Sequence, residues 1–241
     1  MNPVPHSKIR LRNAGDIAFT LIELLVVIGI MVALTALTIP AFNSIKGSGD
    51  LKKSSYEFAE TLEQARNYAI AKNTYVWVGI VEEDAGKPTV SGTGRIVLSV
   101  IASQDNTNLL SGPGSIVSGT NAAQVSKLRK LENMHLATIS GTAFPRTSGT
   151  APANPCQIAD QAFINSKGLA FGYPLGGNQY TFSKIIQFSP IGDASRLGDS
   201  PARWMEIGLR PCHGNVADLA TSNVIAIQIA GIGGQIIINR P

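Results

Sequence analysis

From Phe19 to Phe42 the chain reads FTLIELLVVIGIMVALTALTIPAF, with Glu23 as its single charge. An α-helix rises about 1.5 Å per residue, so roughly 20 residues cross a hydrocarbon core about 30 Å thick. A run of this length is therefore expected to be a membrane-spanning helix. Hydrophobic residues make up 44% of the 241-residue chain and charged residues 15%. Those averages conceal an apolar anchor attached to a more polar remainder, long enough for one sizeable domain with appendages.

A secretory signal has a shorter apolar core, with its small-residue cleavage site after it. Here Gly29, Ala33 and Ala36 lie inside the run, while Lys8, Arg10 and Arg12 precede it. The expected cut falls between Ala18 and Phe19, which leaves the apolar segment on the mature protein. The same basic residues, opposed by Asp16, point to a cytoplasmic N-terminus, although Lys46, Lys52 and Lys53 beyond the run weaken that orientation.

Glu23 is the informative residue. A carboxylate within a membrane helix costs a few kcal/mol on insertion scales. After cleavage it would lie in the first helical turn, where the macrodipole favours a negative group and the new amine of Phe19 supplies an opposite charge. The amine of a neighbouring subunit would also fix the axial stagger of an assembly. The alternative is that Glu23 reaches the interface and has no specific partner.

The run Ala18-Phe19-Thr20-Leu21-Ile22-Glu23, followed by Leu24-Leu25-Val26-Val27-Ile28, resembles the processing and methylation signature of type IV prepilins and type II secretion pseudopilins. The match covers about residues 15–40. The resemblance implies cleavage by a prepilin peptidase before Phe19, N-methylation of Phe19, subunit docking guided by Glu23, and local unwinding of the helix at Pro40. The family usually has Gly before the cut; Ala18 stands there in this chain. The resemblance also implies a type IV pilin-like α+β fold, in which a long N-terminal helix, transmembrane in its first half and amphipathic in its second, packs on an antiparallel β-sheet head. The expected location is the bacterial inner membrane, in a single pass with a periplasmic head, and filament-associated after assembly. Expected partners are the peptidase, other pilin or pseudopilin subunits, an inner-membrane assembly platform and membrane lipid.

The expected organisation is a leader over residues 1–18, a transmembrane and filament-core helix over 19–42, its amphipathic continuation over 43–73, and a β-rich head over 74–241. Pro40 lacks an amide hydrogen and should kink the helix, with Gly47 and Gly49 extending the weak point. Leu51, Phe58, Leu62, Ala65 and Ala69 then recur at helical spacing and predict a stripe facing the head. The alternative, a helix lying on a membrane surface, is opposed by Glu57, Glu60 and Glu63.

Strands are predicted at residues 74–81 and 95–101, forming a hairpin, and at 181–188, 203–209, 223–229 and 235–239. Glycines in Ala230-Gly231-Ile232-Gly233-Gly234 suit a turn between the last two. Residues 102–155 read as a long loop insertion rich in Gly, Ser, Thr, Asn and Pro, with a helical candidate over 125–133 and a strand candidate over 135–139. The order of elements, with Phe188-Ser189-Pro190-Ile191-Gly192 and the terminal Gly233-Gly234, resembles the H-type, FimT-like minor pseudopilins. The insertion also resembles a distinct branch, the pilin-like members of the Verru_Chthon cassette proteins.

The net charge of +4 could suggest a nucleic-acid partner. Lys8, Arg10 and Arg12 fall in the leader, however, and no later stretch clusters Lys and Arg, so nucleic acid is not expected. Cys156 and Cys212 are too few for a disulfide scaffold; one disulfide and two buried free thiols are both open readings. No HExxH, GxSxG or Walker sequence occurs, and no cofactor or metal is expected. Cys212 with His213 lacks a third ligand, His135 stands alone, and Asp193, Asp199 and Glu206 read as solvated carboxylates. The expectation is thus a non-enzymatic pilin-like subunit, a minor pseudopilin ahead of a major pilin. The competing class is a tethered binding module or hydrolase that uses the prepilin signal for sorting.

Overall fold

The computed structural model describes residues 20–108, 121–139, 144, 146, 156–160, 163–164, 169–219 and 223–240, with residues 37–47 described by their backbone alone. Helix α1 spans Leu21–Lys72. Its start is fixed by Thr20, discussed below. Its end has Lys72 in the last turn, where a cation suits the dipole. Asn73 then turns left-handed at φ 50°, and the Asn73 and Thr74 amides donate back to the carbonyls of Ile70 and Ala69. This is the Schellman arrangement, with Asn in the place most often taken by Gly.

Helix α1 continues across residue 40, where a kink is expected, as well as across Gly47 and Gly49. The chain divides into two compact units at residues 44 and 45, inside this helix. In the first, every described side chain from Leu21 to Ala36 is exposed.

The second unit is predominantly β. Its strands in chain order are β1 Val76–Asp84, β2 Lys87–Ser91, β3 Gly94–Ser103, β4 Ala122–Gln124, β5 Arg129–Ala137, β6 Phe171–Tyr173, β7 Tyr180–Phe182, β8 Lys184–Phe188, β9 Ala194–Arg196, β10 Trp204–His213, β11 Val216–Ala217, β12 Ile225–Ala230 and β13 Ile236–Asn239. Eleven form one sheet, with β13-β12-β10-β5-β3-β1-β8-β9 in spatial order and β11, β2 and β4 attached to β10, β1 and β3. Strands β6 and β7 make a separate hairpin.

Alternation along the strands sorts the sheet's side chains into two cores. Val76, Val78 and Ile80 of β1, with Ile207 and Ile227 of β10 and β12, join Leu51, Phe58, Leu62, Ala65 and Ala69 of α1 in one cluster. The helical stripe read from the sequence is thus wholly buried. Trp77 and Ile101 join Phe171, Tyr180 and Phe182 of the small hairpin in the other. A fully buried Phe or Leu contributes about 1.5–3 kcal/mol, so both clusters matter to stability. Gly79 permits the second: a Cβ there would lie 2.5–2.6 Å from the rings and Cβ of Phe171 and Phe182.

Several expectations require correction. The type IV pilin-like α+β class with a transmembrane half-helix does not stand. The fold is dominated by strands, and among the described residues no helix is long and apolar enough to cross a membrane. The single-pass inner-membrane location falls with it.

The helix expected over 125–133 is instead the approach to β5 and its first half. Asn133, at φ 58°, is an extra residue where β5 passes β3: Arg95 pairs with Glu132 but Gly94 with Met134. This bulge puts Leu131 and Met134 in the same core at a spacing of three, which mimics helical periodicity. The strand predicted over 181–188 divides into β7 and β8, which belong to different sheets.

Candidate functional site

The start of α1 carries the most specific arrangement of residues. Thr20 and Glu23 form a reciprocal cap. The Thr20 amide donates to Glu23 Oε2 at 2.9 Å, the Thr20 hydroxyl donates to the same oxygen at 2.7 Å, and the Glu23 amide donates back to Thr20 Oγ1 at 3.3 Å. This is the capping box expected of Thr-x-x-Glu ahead of an apolar run. The hydrogen bonds from the Thr20 backbone, then from its hydroxyl, hold the Glu23 carboxyl below the usual range. Glu23 is therefore a carboxylate at neutral pH at the positive end of a helix dipole.

Thr20 is a site residue that the sequence reading missed, although the spacing was there to find. Ala18 and Phe19 lie outside the described residues, as do 109–120, 140–143, 145 and 147–155 of the expected insertion and the side chain of Pro40. Behind the cap, Leu21, Ile22, Leu24, Leu25, Val26, Val27, Ile28, Ile30, Met31, Val32 and Leu34 are exposed by 44–82%. An apolar surface that encircles a helix is far larger than the patches ordinary monomers leave in water.

Comparison with protein-family models, with curated proteins and with solved structures finds no match. The physical arrangement is therefore the basis for a functional reading.

The other singled-out residues are dispersed. Of the two open readings, the structure has free thiols, with Cys212 buried and Cys156 half-buried. Burial pushes the Cys156 thiol up and the Cys212 thiol up to about 12, so neither is activated as a thiolate. Of the three carboxylates read as solvated, Asp199 is exposed, Asp193 is half-buried and Glu206 is not solvated at all. Asp193 accepts the Gly233 amide at 2.8 Å, Asp199 pairs with Arg196, and Glu206 is fully buried against Arg146. His135 Nδ1 lies 2.7 Å from Glu82 Oε1, whereas His213 is exposed.

A charge cluster the sequence reading did not find surrounds Glu83, which is 1% exposed. Its carboxylate accepts the Thr89 amide at 2.7 Å, Arg95 Nη1 at 2.9 Å and Lys130 Nζ at 3.4 Å. Arg95 also reaches Glu132 at 2.6 Å, and Lys130 the Tyr180 hydroxyl at 2.8 Å. Burial pushes the Glu83 carboxyl up, but the Thr89 amide, Arg95, Tyr180 and Lys130 together outweigh it and hold the carboxyl below its usual range. A carboxyl lowered in the folded state adds stability above its unfolded pKa of about 4.3, and that stability is lost as pH falls through the folded value. Urea midpoints of the wild type should accordingly fall more steeply from pH 5 to pH 3 than those of Glu83→Gln. Parallel curves for the two proteins would contradict this role.

Proposed function

We propose that the chain is a non-enzymatic structural subunit of a pilus-type helical filament, of the minor pseudopilin kind, and that the apolar start of α1 is its packing surface. One observation carries the reading: a capped helix whose apolar side chains are exposed on all sides in the isolated chain. Burial of that surface favours association, and head-to-tail contacts that do not close a ring extend into filaments. The resemblance of residues 18–28 to the prepilin signature supplies the remainder: a peptidase that releases Phe19, sibling subunits as partners, and an assembly platform.

Glu23 has a distinct part in this reading. Its carboxylate sets the register by pairing with the released amine of an adjacent subunit. Glu23→Gln separates that role from helix capping, because Gln also completes a capping box. Glu23→Gln should leave the helix content unchanged by circular dichroism while the subunit disappears from sheared filament preparations. Thr20→Ala, which weakens the cap but keeps the charge, should still assemble. Normal incorporation of Glu23→Gln would overturn the proposed pairing.

A further inference from the structure

Away from α1's apolar start, the second unit contains a cleft of about 490 Å³ bordered by β1, β5, the start of β8 and the described residues around Ala159 and Ile164. That volume lies within the range of small-molecule sites. Ile80, Leu136 and Ile164 give it an apolar wall, and Lys184 lines it too, paired across the sheet with Ile80. Lys184 differs from the other lysines whose side chains are described. Lys52, Lys53, Lys72, Lys87, Lys127 and Lys130 are exposed, whereas Lys184 is half-buried. Its Nζ donates to the Ala159 carbonyl at 2.8 Å, an acceptor that suits a neutral amine as well as an ammonium. Burial lowers the Lys184 amine, and Glu82 and Asp160, acting on it as opposing charges, restore it only in part. Desolvation of this kind is one route to a nucleophilic lysine.

We propose that Lys184 captures a small neutral aldehyde as an imine, with the aldehyde's aliphatic tail against Ile80, Leu136 and Ile164. The Nζ lone pair attacks the carbonyl carbon, a C=N bond replaces C=O, and the carbonyl oxygen leaves with both amine hydrogens as one water. Nothing is oxidised or reduced. The charges of the cleft select the carbonyl compound. Glu82, which lines it, and nearby Asp160 repel a keto acid or any other anionic aldehyde or ketone. The protonated imine is a cation, and the same two carboxylates match it as they match the ammonium. The wall favours an alkyl tail over a polar one, whose groups it would leave without partners.

The test uses the full chain with sodium cyanoborohydride, which reduces an imine to a stable alkylated amine, and reads each lysine by peptide mass spectrometry at low conversion. With butanal, Lys184 should be labelled faster than the exposed lysines by about tenfold or more, the scale of burying two methylene groups. Acetaldehyde, shorter by those two methylenes, should lose that lead. Glyoxylate, an anionic aldehyde, should label Lys184 no faster than the exposed lysines. Those lysines are standards within the same molecule, so no variant has to fold. Butanal labelling of Lys184 at or below their rate would overturn the proposal. An equal lead with acetaldehyde or glyoxylate would also refute it, as would a lead that survives unfolding in urea.

Discussion

Glu206→Ala is expected to destabilise the second unit by about 3–5 kcal/mol, the range for removing one partner of a buried ion pair. Glu206 and Arg146 have side-chain exposures of 0% and 3%. The guanidinium grips both carboxylate oxygens, at 2.7 Å to Oε2 and 3.0 Å to Oε1, and also reaches the Ile139 carbonyl at 3.1 Å. Gln228 donates to Glu206 Oε2 at 3.1 Å, and its own oxygen accepts from Asn239 at 3.0 Å. Removing the carboxylate thus strands a buried cation and opens a hydrogen-bonded chain across β10, β12 and β13. Whole domains are stable by only about 5–15 kcal/mol, so the loss should be plain in the urea midpoint. Replacing both residues, Arg146→Met with Glu206→Leu, should recover most of it, because the penalty arises from the unpaired charge. A single-variant loss under about 1 kcal/mol would show that water reaches the pair.

The second large effect concerns assembly. Leu24, Leu25 and Ile28 are 60%, 55% and 53% exposed and belong to none of the buried clusters, so changing all three to Ser leaves those cores intact. The urea midpoint of the second unit should stay within the roughly ±0.5 kcal/mol typical of surface substitutions. If the proposed packing surface is correct, each of these side chains contributes about 1.5–3 kcal/mol on burial between subunits. Together they correspond to more than about a thousandfold in association, since 1.4 kcal/mol is a factor of ten. The triple variant should be stable, soluble at lower detergent and missing from sheared filaments. Recovery at wild-type abundance in that fraction would remove the packing role from this helix.

Much of the strand content was readable because β-branched runs advertise it. Residues 76–81, 95–101, 204–209, 225–229 and 236–239 lie in strands that the sequence reading had anticipated. The buried stripe from Leu51 to Ala69 was readable for the same reason, since a 3.6-residue period survives in one dimension. Residues 125–133 were not, because the Asn133 bulge gives a strand the spacing of a helix. Thr20 was readable as well, because its three-residue spacing to Glu23 ahead of an apolar run is that of a capping box.

The buried charges lay beyond sequence reasoning. Glu83 meets Arg95 and Lys130 from 12 and 47 residues away, and Glu206 meets Arg146 from 60. Arg146 stands in a stretch whose Gly, Ser, Thr and Pro content suggested only loop. Nothing in the local composition distinguishes these carboxylates from solvated ones.

The order of residues by itself determined the apolar start of α1, its Thr-x-x-Glu cap, the buried stripe of its second half and most of the strand-forming runs, because each depends on neighbours a few positions apart. Only the tertiary structure decided the eleven-stranded order, the burial of Glu83 and Glu206, and the cleft beside Lys184. Those depend on which strands lie side by side, and a carboxylate acquires its environment only when distant segments close around it.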